Sequence, residues 1–174
     1  MNESWVIGFV CGLVAVAVLF RLVARKILQI DGAEKTKYDE RQMIERGKGY
    51  RYAFFAYVIF NIIFFMVDTG VDVTLPVGFL MICGLLLASG VHVVYCIFHE
   101  AYWGLNNRVK NYIILLIIAG VVNLAIGISA GMHGAWYTDG VLHSSAYNLI
   151  VAIFLAVILV AMLIKWMQDK REVE

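Results

Sequence analysis

Charged residues are scarce in this chain, and their placement says more than their number. Asp, Glu, Lys and Arg make up 16% of the sequence, against 62% hydrophobic residues. Soluble domains carry about a quarter charged residues and about half apolar ones. A soluble fold of this size would have too few charges to cover so much apolar surface. Proline occurs once, at Pro76, where it marks the start of a helix and leaves the other apolar stretches uninterrupted. The three cysteines, Cys11, Cys83 and Cys96, all sit inside apolar runs. That excludes the disulfide framework of a small secreted domain and leaves them as small apolar packing residues.

What the sequence has instead is a set of five stretches free of Asp, Glu, Lys and Arg: Ser4 to Phe20, Tyr52 to Val67, Val73 to Phe98, Asn111 to Thr138 and Val141 to Ile164. A membrane-spanning helix needs about 20 mostly apolar residues. The first two stretches are short, but Arg21, Arg25 and Arg51 extend them by burying their stems and lifting the charge to the interface. The expected fold is all-α: one domain over residues 1–174, a bundle of five transmembrane helices at 4–27, 50–67, 74–98, 111–131 and 144–166, with a loop at 28–49. The first stretch is read as a retained span, because a signal peptide carries its positive charge before the apolar run and here the charge follows it.

Lys and Arg set the orientation. Nine of the fourteen lie between Arg21 and Arg51, two (Arg108, Lys110) follow the third span and three (Lys165, Lys170, Arg171) follow the fifth. The alternate loops hold none of them and carry Glu3, Asp68, Asp72 and Asp139. The positive-inside rule then puts the N-terminus outside and the C-terminus in the cytoplasm. Trp5 and Trp136 fall at the outer ends, Trp103 and Trp166 at the inner ends, as an interfacial aromatic belt requires. Ser144 or Ser145 is the expected cap of the fifth span.

Small residues point to where helices approach. Gly8 and Gly12, Gly84 and Ala88, and Gly127 and Gly131 form small-xxx-small pairs. Packing inside the bundle is the favoured use of these faces, with a homo-oligomer as the alternative. The second span, rich in Phe and without internal glycine, is expected to face lipid.

No Asp, Glu, Lys or Arg falls deep in a span, whereas proton-coupled transporters place such groups there. The polar residues that could line a pathway or ligand cavity are His92, Asn61 and Asn123. Each is more simply read as an interhelical hydrogen-bonding group, with His92 paired to Asn123. A haem needs a second ligand at the depth of His92, and His133 and His143 belong to the other side. His133, Asp139 and His143 match no compact metal motif. No cofactor and no metal are expected. His99 and Glu100 form a weak acid–base candidate at the end of the third span. No catalytic residue is assigned.

The most distinctive stretch runs from Thr36 to Phe55. Thr36 and Asp39 suggest a capping box, a short interfacial helix from Lys37 to Arg46 follows, and Gly47 and Gly49 offer an elbow before the second span. Gly47-Lys48-Gly49 lacks the rest of a phosphate-binding loop. Arg46, Lys48 and Arg51 would each gain about 1 kcal/mol from anionic headgroups. Asp39, Glu40, Arg41, Arg46, Lys48 and Arg51 are the expected contacts to lipid or to a cytoplasmic or membrane protein. Five acids against nine bases from Arg21 to Arg51 do not suit a nucleic-acid-binding arm.

Asp39-Glu40-Arg41-Gln42, then Arg46-Gly47-Lys48, running into Tyr50-Arg51-Tyr52-Ala53-Phe54-Phe55, resembles a family of uncharacterised small multi-pass membrane proteins of Gram-positive bacteria. The resemblance covers fewer than twenty residues and the general layout. It implies a multi-pass protein of the bacterial plasma membrane and no particular reaction. Three functions follow from these readings: a non-enzymatic accessory or regulatory subunit, a small oligomeric transporter or channel with a polar path near His92, or a membrane enzyme acting on a lipid or quinone.

Overall fold

The computed structural model describes residues 18, 37–70, 76–105, 109–138, 141–143 and 146–173. The first expected span, with Gly8 and Gly12, lies outside the described residues except for residue 18, as do Thr36, Asp72, Asp139, Ser144 and Ser145. Among the described residues the fold has four long α-helices: α1 Glu40–Gly70, α2 Val77–Phe98, α3 Val109–Met132 and α4 Tyr147–Val173. All four are long and apolar enough to cross a membrane. A two-residue antiparallel pair, β1 Tyr137–Thr138 and β2 Val141–Leu142, closes the turn between α3 and α4.

Three boundaries carry their reasons in the sequence. Pro76 is the residue before α2, with φ −59° and ψ 131°. Its carbonyl accepts from Phe79 N at 2.9 Å and Leu80 N at 3.3 Å. There its missing N–H is no loss. The other two boundaries are C-terminal turns of one kind. At the end of α3, Gly134 takes φ +68°, Ala135 N donates to Ala130 O at 2.8 Å and Gly134 N to Gly131 O at 3.0 Å. At the end of α2, Glu100 takes φ +57°, Ala101 N donates to Cys96 O at 2.8 Å and Glu100 N to Ile97 O at 3.2 Å. Both are Schellman turns, in which the left-handed residue lets the chain satisfy two helix-end carbonyls.

The interfacial helix and elbow expected between the first two spans are not formed. Glu40 to Gly70 is one uninterrupted helix of 31 residues. At about 1.5 Å per residue it reaches about 46 Å, against a hydrocarbon layer of about 30 Å. About ten of its residues therefore extend past the thickness of a bilayer core. Gly47 and Gly49 do not bend it, because the first turns are held down along their length. Gly49 is buried, and a Cβ there would lie 2.9 Å from His92 Nδ1 and 3.2 Å from Cys96 Sγ. It is a place of close approach and not a hinge.

Helix α2 packs against α1 on one side and α4 on the other, and α3 packs against α4. Small residues set the spacing where the sequence placed them. A Cβ on Gly84 would come within 3.0 Å of Tyr57 and 3.1 Å of Phe60 in α1. One on Gly127 would lie 2.6 Å from the Leu149 side chain in α4. Gly131 lies beneath the Trp136 ring, whose Nε1 donates to Gly127 O at 2.9 Å. Ala88 is half-buried. The buried apolar set is small: Ile97, Ile158 and Ala161 form its centre, with Val93, Leu116, Phe154 and Met162 around them. Most large apolar side chains face outward, including Phe54, Phe55, Phe65 and Met66 of α1. Association of such helices rests on close packing and hydrogen bonds, since there is no gain in hiding apolar surface from lipid.

The start of α1, the end of α2, the start of α3 and the end of α4 come together at one end of the bundle. Every described Lys and Arg is on these segments, and the β1–β2 hairpin closes the opposite end. They are called the basic end and the hairpin end below.

Candidate functional site

Side chains converge at the basic end, and the convergence begins with a cap. Asp39 precedes α1 and Gln42 is three residues on. Gln42 N donates to Asp39 Oδ1 at 2.6 Å, and Asp39 N donates to Gln42 Oε1 at 3.3 Å. This is a reciprocal capping box. It sits three residues after the one expected from Thr36 and Asp39, so α1 starts at Glu40 and not at Lys37.

Gln42 does more than cap. Only 7% of it is exposed. Its Nε2 donates to Glu100 O at 2.8 Å and to Trp103 O at 3.1 Å. Both carbonyls belong to the α2–α3 loop, so one amide ties the start of α1 to that loop. Arg46, one turn further on, donates from Nη1 to Ala101 O at 3.2 Å and lies over the Tyr38 ring, 4.3 Å from its centroid. Leu105 N donates to Lys37 O at 2.8 Å. Four connections thus dock the head of α1 on a single loop.

Glu100 is the electrostatic centre. Its Oε2 accepts from Arg41 Nη2 at 3.0 Å and its Oε1 from Lys165 Nζ at 3.0 Å. Lys165 also pairs with Asp169 at 2.6 Å. One carboxylate therefore links α1, the α2–α3 loop and α4. Lys165, and then Arg41, hold the Glu100 carboxyl below the usual range for a glutamate. Its backbone is in the left-handed region, which costs a residue with a Cβ roughly 1–2 kcal/mol. Strain of this kind persists where the surroundings hold it in place, and it marks positions to inspect for function. Next in the loop, burial pushes the Tyr102 hydroxyl up.

A second layer lies one to two turns further along α1 and α2. Tyr95 Oη donates to Glu45 Oε2 at 2.6 Å, and Lys48 donates to Glu45 Oε1 at 2.8 Å. His92 stacks on Tyr50, with centroids 4.1 Å apart and planes 16° apart. His99 stacks on Tyr95 at 3.9 Å and 17°.

Of the residues named from the sequence, the basic end brings together Asp39, Arg41, Arg46 and Glu100, through contacts within the chain. Glu40, Lys48 and Arg51 stand exposed at its rim, Lys48 paired with Glu45. Among the described residues, Asn61 and Asn123 bond within their own helices rather than, as expected, between helices. Asn61 donates to Tyr57 O at 2.7 Å and Asn123 to Ala119 O at 2.8 Å, each to its own helix four residues back. A short amide side chain reaches that carbonyl without help from another helix. His92 is taken up by Tyr50 and Gly49 and is not bonded to Asn123. His99 and Glu100, adjacent in sequence, diverge: one stacks on Tyr95, and the other's carboxylate goes to Arg41 and Lys165. At the hairpin end, His133 Nδ1 lies 2.7 Å from Ser129 O. Among the described residues, no three His, Cys, Asp or Glu side chains group as metal ligands would. Sequence reasoning missed Gln42, Tyr95 and Lys165. The signal for Gln42 was present, since Asp39-x-x-Gln42 fits the capping pattern as well as Thr36-x-x-Asp39 does.

Beside Glu100 a cavity of about 780 Å³ opens between the end of α2, α3 and α4. Val109, Ile113 and Ile117 of α3 face Leu159, Met162 and Leu163 of α4 across it. Glu100, Lys165 and Asp169 stand at its charged rim, with Gln42, Trp103 and Trp166 alongside. Two other hollows lie along α1, one of about 450 Å³ shared with α2 and one of about 360 Å³ lined by α1 residues, both mostly apolar. Apolar walls with a few convergent polar groups are the usual form of a small-molecule site. The chain matches no protein-family model, no curated protein and no solved structure.

Proposed function

We propose that this chain is a five-span protein of the bacterial plasma membrane, with its N-terminus outside and its C-terminus in the cytoplasm, and that it serves as a non-enzymatic accessory or regulatory subunit. The basic end is its working surface. One observation supports this above the others: the head of α1 continues beyond the length a bilayer core needs and is fastened to the α2–α3 loop by Gln42, Arg46 and Lys37. A loop that only joined two spans would need no such fastening. The result is a pre-organised platform, with Glu40, Lys48 and Arg51 outward, at which a cytoplasmic protein would meet little ordering cost.

The rival readings draw less support. A polar path for a transporter would use Asn61, Asn123 and His92 together, yet each is occupied within its own neighbourhood. An acid–base centre would use His92, His99 and Glu100, yet both Glu100 oxygens are ion-paired and neither histidine lines the cavity.

Two measurements test the proposal. Cysteine placed at Lys48 should react with a membrane-impermeant maleimide only after cells are opened, whereas cysteine at His143 should react in intact cells. A photo-crosslinker at Lys48 should trap a defined protein, and Glu40→Lys with Arg51→Glu should abolish that adduct while His92→Ala leaves it. Labelling of Lys48→Cys from outside would overturn the topology. A crosslinker that captures only lipid would overturn the subunit role.

A further inference from the structure

We infer that the cavity beside Glu100 holds one aminophospholipid, a zwitterionic lipid with a primary ammonium head. The inference rests on the reading that the basic end lies at a membrane surface, and it goes beyond that reading by naming the occupant.

The walls set the tail. Three aliphatic residues of α3 and three of α4 face each other from Val109 to Ile117 and from Leu159 to Leu163. They offer no polar atom to a hydrocarbon chain and open sideways towards lipid, where Ile117 and Leu163 are exposed. The volume of about 780 Å³ falls within the range of natural small-molecule sites. Trp103 and Trp166 stand at the rim, where indoles sit at headgroup level.

The rim sets the head. Its ionised groups are two carboxylates, Glu100 and Asp169, and one ammonium, Lys165. The Lys165 ammonium has three N–H donors, and Glu100 and Asp169 use two of them. The third remains for a phosphate oxygen. Each carboxylate has about four acceptor positions. Glu100 uses two, for Arg41 and Lys165, and Asp169 uses one. The unused ones suit a primary ammonium. Arg41, paired with Glu100, brings the cluster to two carboxylates and two cations, so an anionic phosphatidylglycerol would add an unmatched charge to a balanced group. A choline head would bring no N–H to donate. Phosphatidylethanolamine satisfies both signs.

Native mass spectrometry of the full chain, released from vesicles of equal parts dioleoyl phosphatidylethanolamine, phosphatidylglycerol and phosphatidylcholine, tests this. The expected result is one retained phosphatidylethanolamine per chain, enriched about 10-fold or more over the other two, the ratio of a single well-made charge-assisted contact. Ile113→Trp, which fills the cavity, should abolish retention. Asp169→Asn lies on the exposed last turns of α4 and leaves the packing alone. It should cut the preference about 2- to 5-fold, the scale of an exposed ion pair. Circular dichroism of Ile113→Trp confirms the helices, and Asp169→Asn keeps the test decisive if that variant does not fold. Equal or stronger retention of phosphatidylglycerol overturns the inference, as does retention unchanged by Ile113→Trp. A disulfide formed in full between Val16→Cys and Leu163→Cys, in a chain lacking its native cysteines, also overturns it, because the first span would then fill the cavity. Loss of the Lys48 crosslink leaves the lipid count unchanged, so the subunit role and the lipid site fail separately.

Discussion

At the hairpin end α3 closes on Gly134, and at the basic end α2 closes on Glu100, both in the left-handed region and both with the same pair of backbone bonds. Glycine takes that conformation without a steric cost, whereas a side chain meets a penalty. Gly134 has open space around it, so nothing but its backbone explains the residue. Glu100 has a side chain that reaches Arg41 on one side and Lys165 on the other. The difference separates two kinds of helix end. One only turns the chain. The other turns the chain and uses the turning residue to join three segments, accepting strain to do so. Among the described residues, the hairpin end is held by backbone bonds, the Trp136 indole and the Phe79–Tyr147 ring pair, and the basic end by charged and amide side chains.

Gln42→Ala breaks the comparison most severely. It removes two bonds to loop carbonyls and one to Asp39 N, at a site closed to solvent. Orphaned buried groups cost about 1–3 kcal/mol each, and relaxation of the loop recovers part of that. The expected loss is about 2–3 kcal/mol. It should appear as a lowered thermal midpoint in detergent, with faster amide exchange confined to 37–46 and 100–105. Exchange that quickens equally in the hairpin would show that the two ends are not independent. Gly134→Ala comes next. Its Cβ meets nothing, so the loss is backbone alone, about 1–2 kcal/mol. The reciprocal change, Glu100→Gly, relieves a similar strain but gives up two exposed ion pairs worth at most about 1 kcal/mol each. Its net effect on stability should stay within about 1 kcal/mol of zero, while amide exchange at the head of α1 rises. A loss as large as that of Gln42→Ala would mean that the ion pairs, and not the amide, hold the platform.

The apolar runs made four helices legible because a membrane solvent leaves little else for a long uncharged stretch to do. Pro76, and the close approaches at Gly84 and Gly127, followed from single residues whose chemistry allows few uses. The boundary of α1 did not follow. Gly47 and Gly49 read as an elbow by propensity, but what decides the backbone there is the row of contacts from Gln42 and Arg46 to a loop 55 or more residues away in sequence, and from Gly49 to His92 and Cys96 of α2. Such pairings have no local signature. The same applies to the candidate site. Arg41, Arg46 and Glu100 stood out by charge, yet their partners could not be named without the fold. Gln42 and Lys165 looked like ordinary polar residues until the loop was placed between them. His92 drew notice as a polar residue in an apolar run, and the structure gives it an aromatic neighbour in place of a polar path.

The smallest effect is the one that tests Glu100 most directly. Its carboxyl titrates below the ordinary range because Lys165 and Arg41 favour the charged form. A group whose folded pKa is depressed adds stability that is fully present above its unfolded value, about 4.3 for glutamate, and is lost as pH falls through the folded value. Wild type should therefore exceed Glu100→Gln in thermal midpoint at neutral pH. The gap should hold down to about pH 5 and close as acid protonates the carboxylate. Glutamine keeps the side-chain length and the same left-handed backbone, so strain cancels and only charge remains. The pairs are more than half exposed on the Glu100 side, and salt should shrink the gap as well. Gly134→Ala removes no ionisable group, and the neighbouring His133 is present in both proteins, so its deficit should not change over the same range. A gap that widened in acid would mean that Glu100 is held neutral, and the three-way junction at the basic end would have to be rebuilt around a different charge.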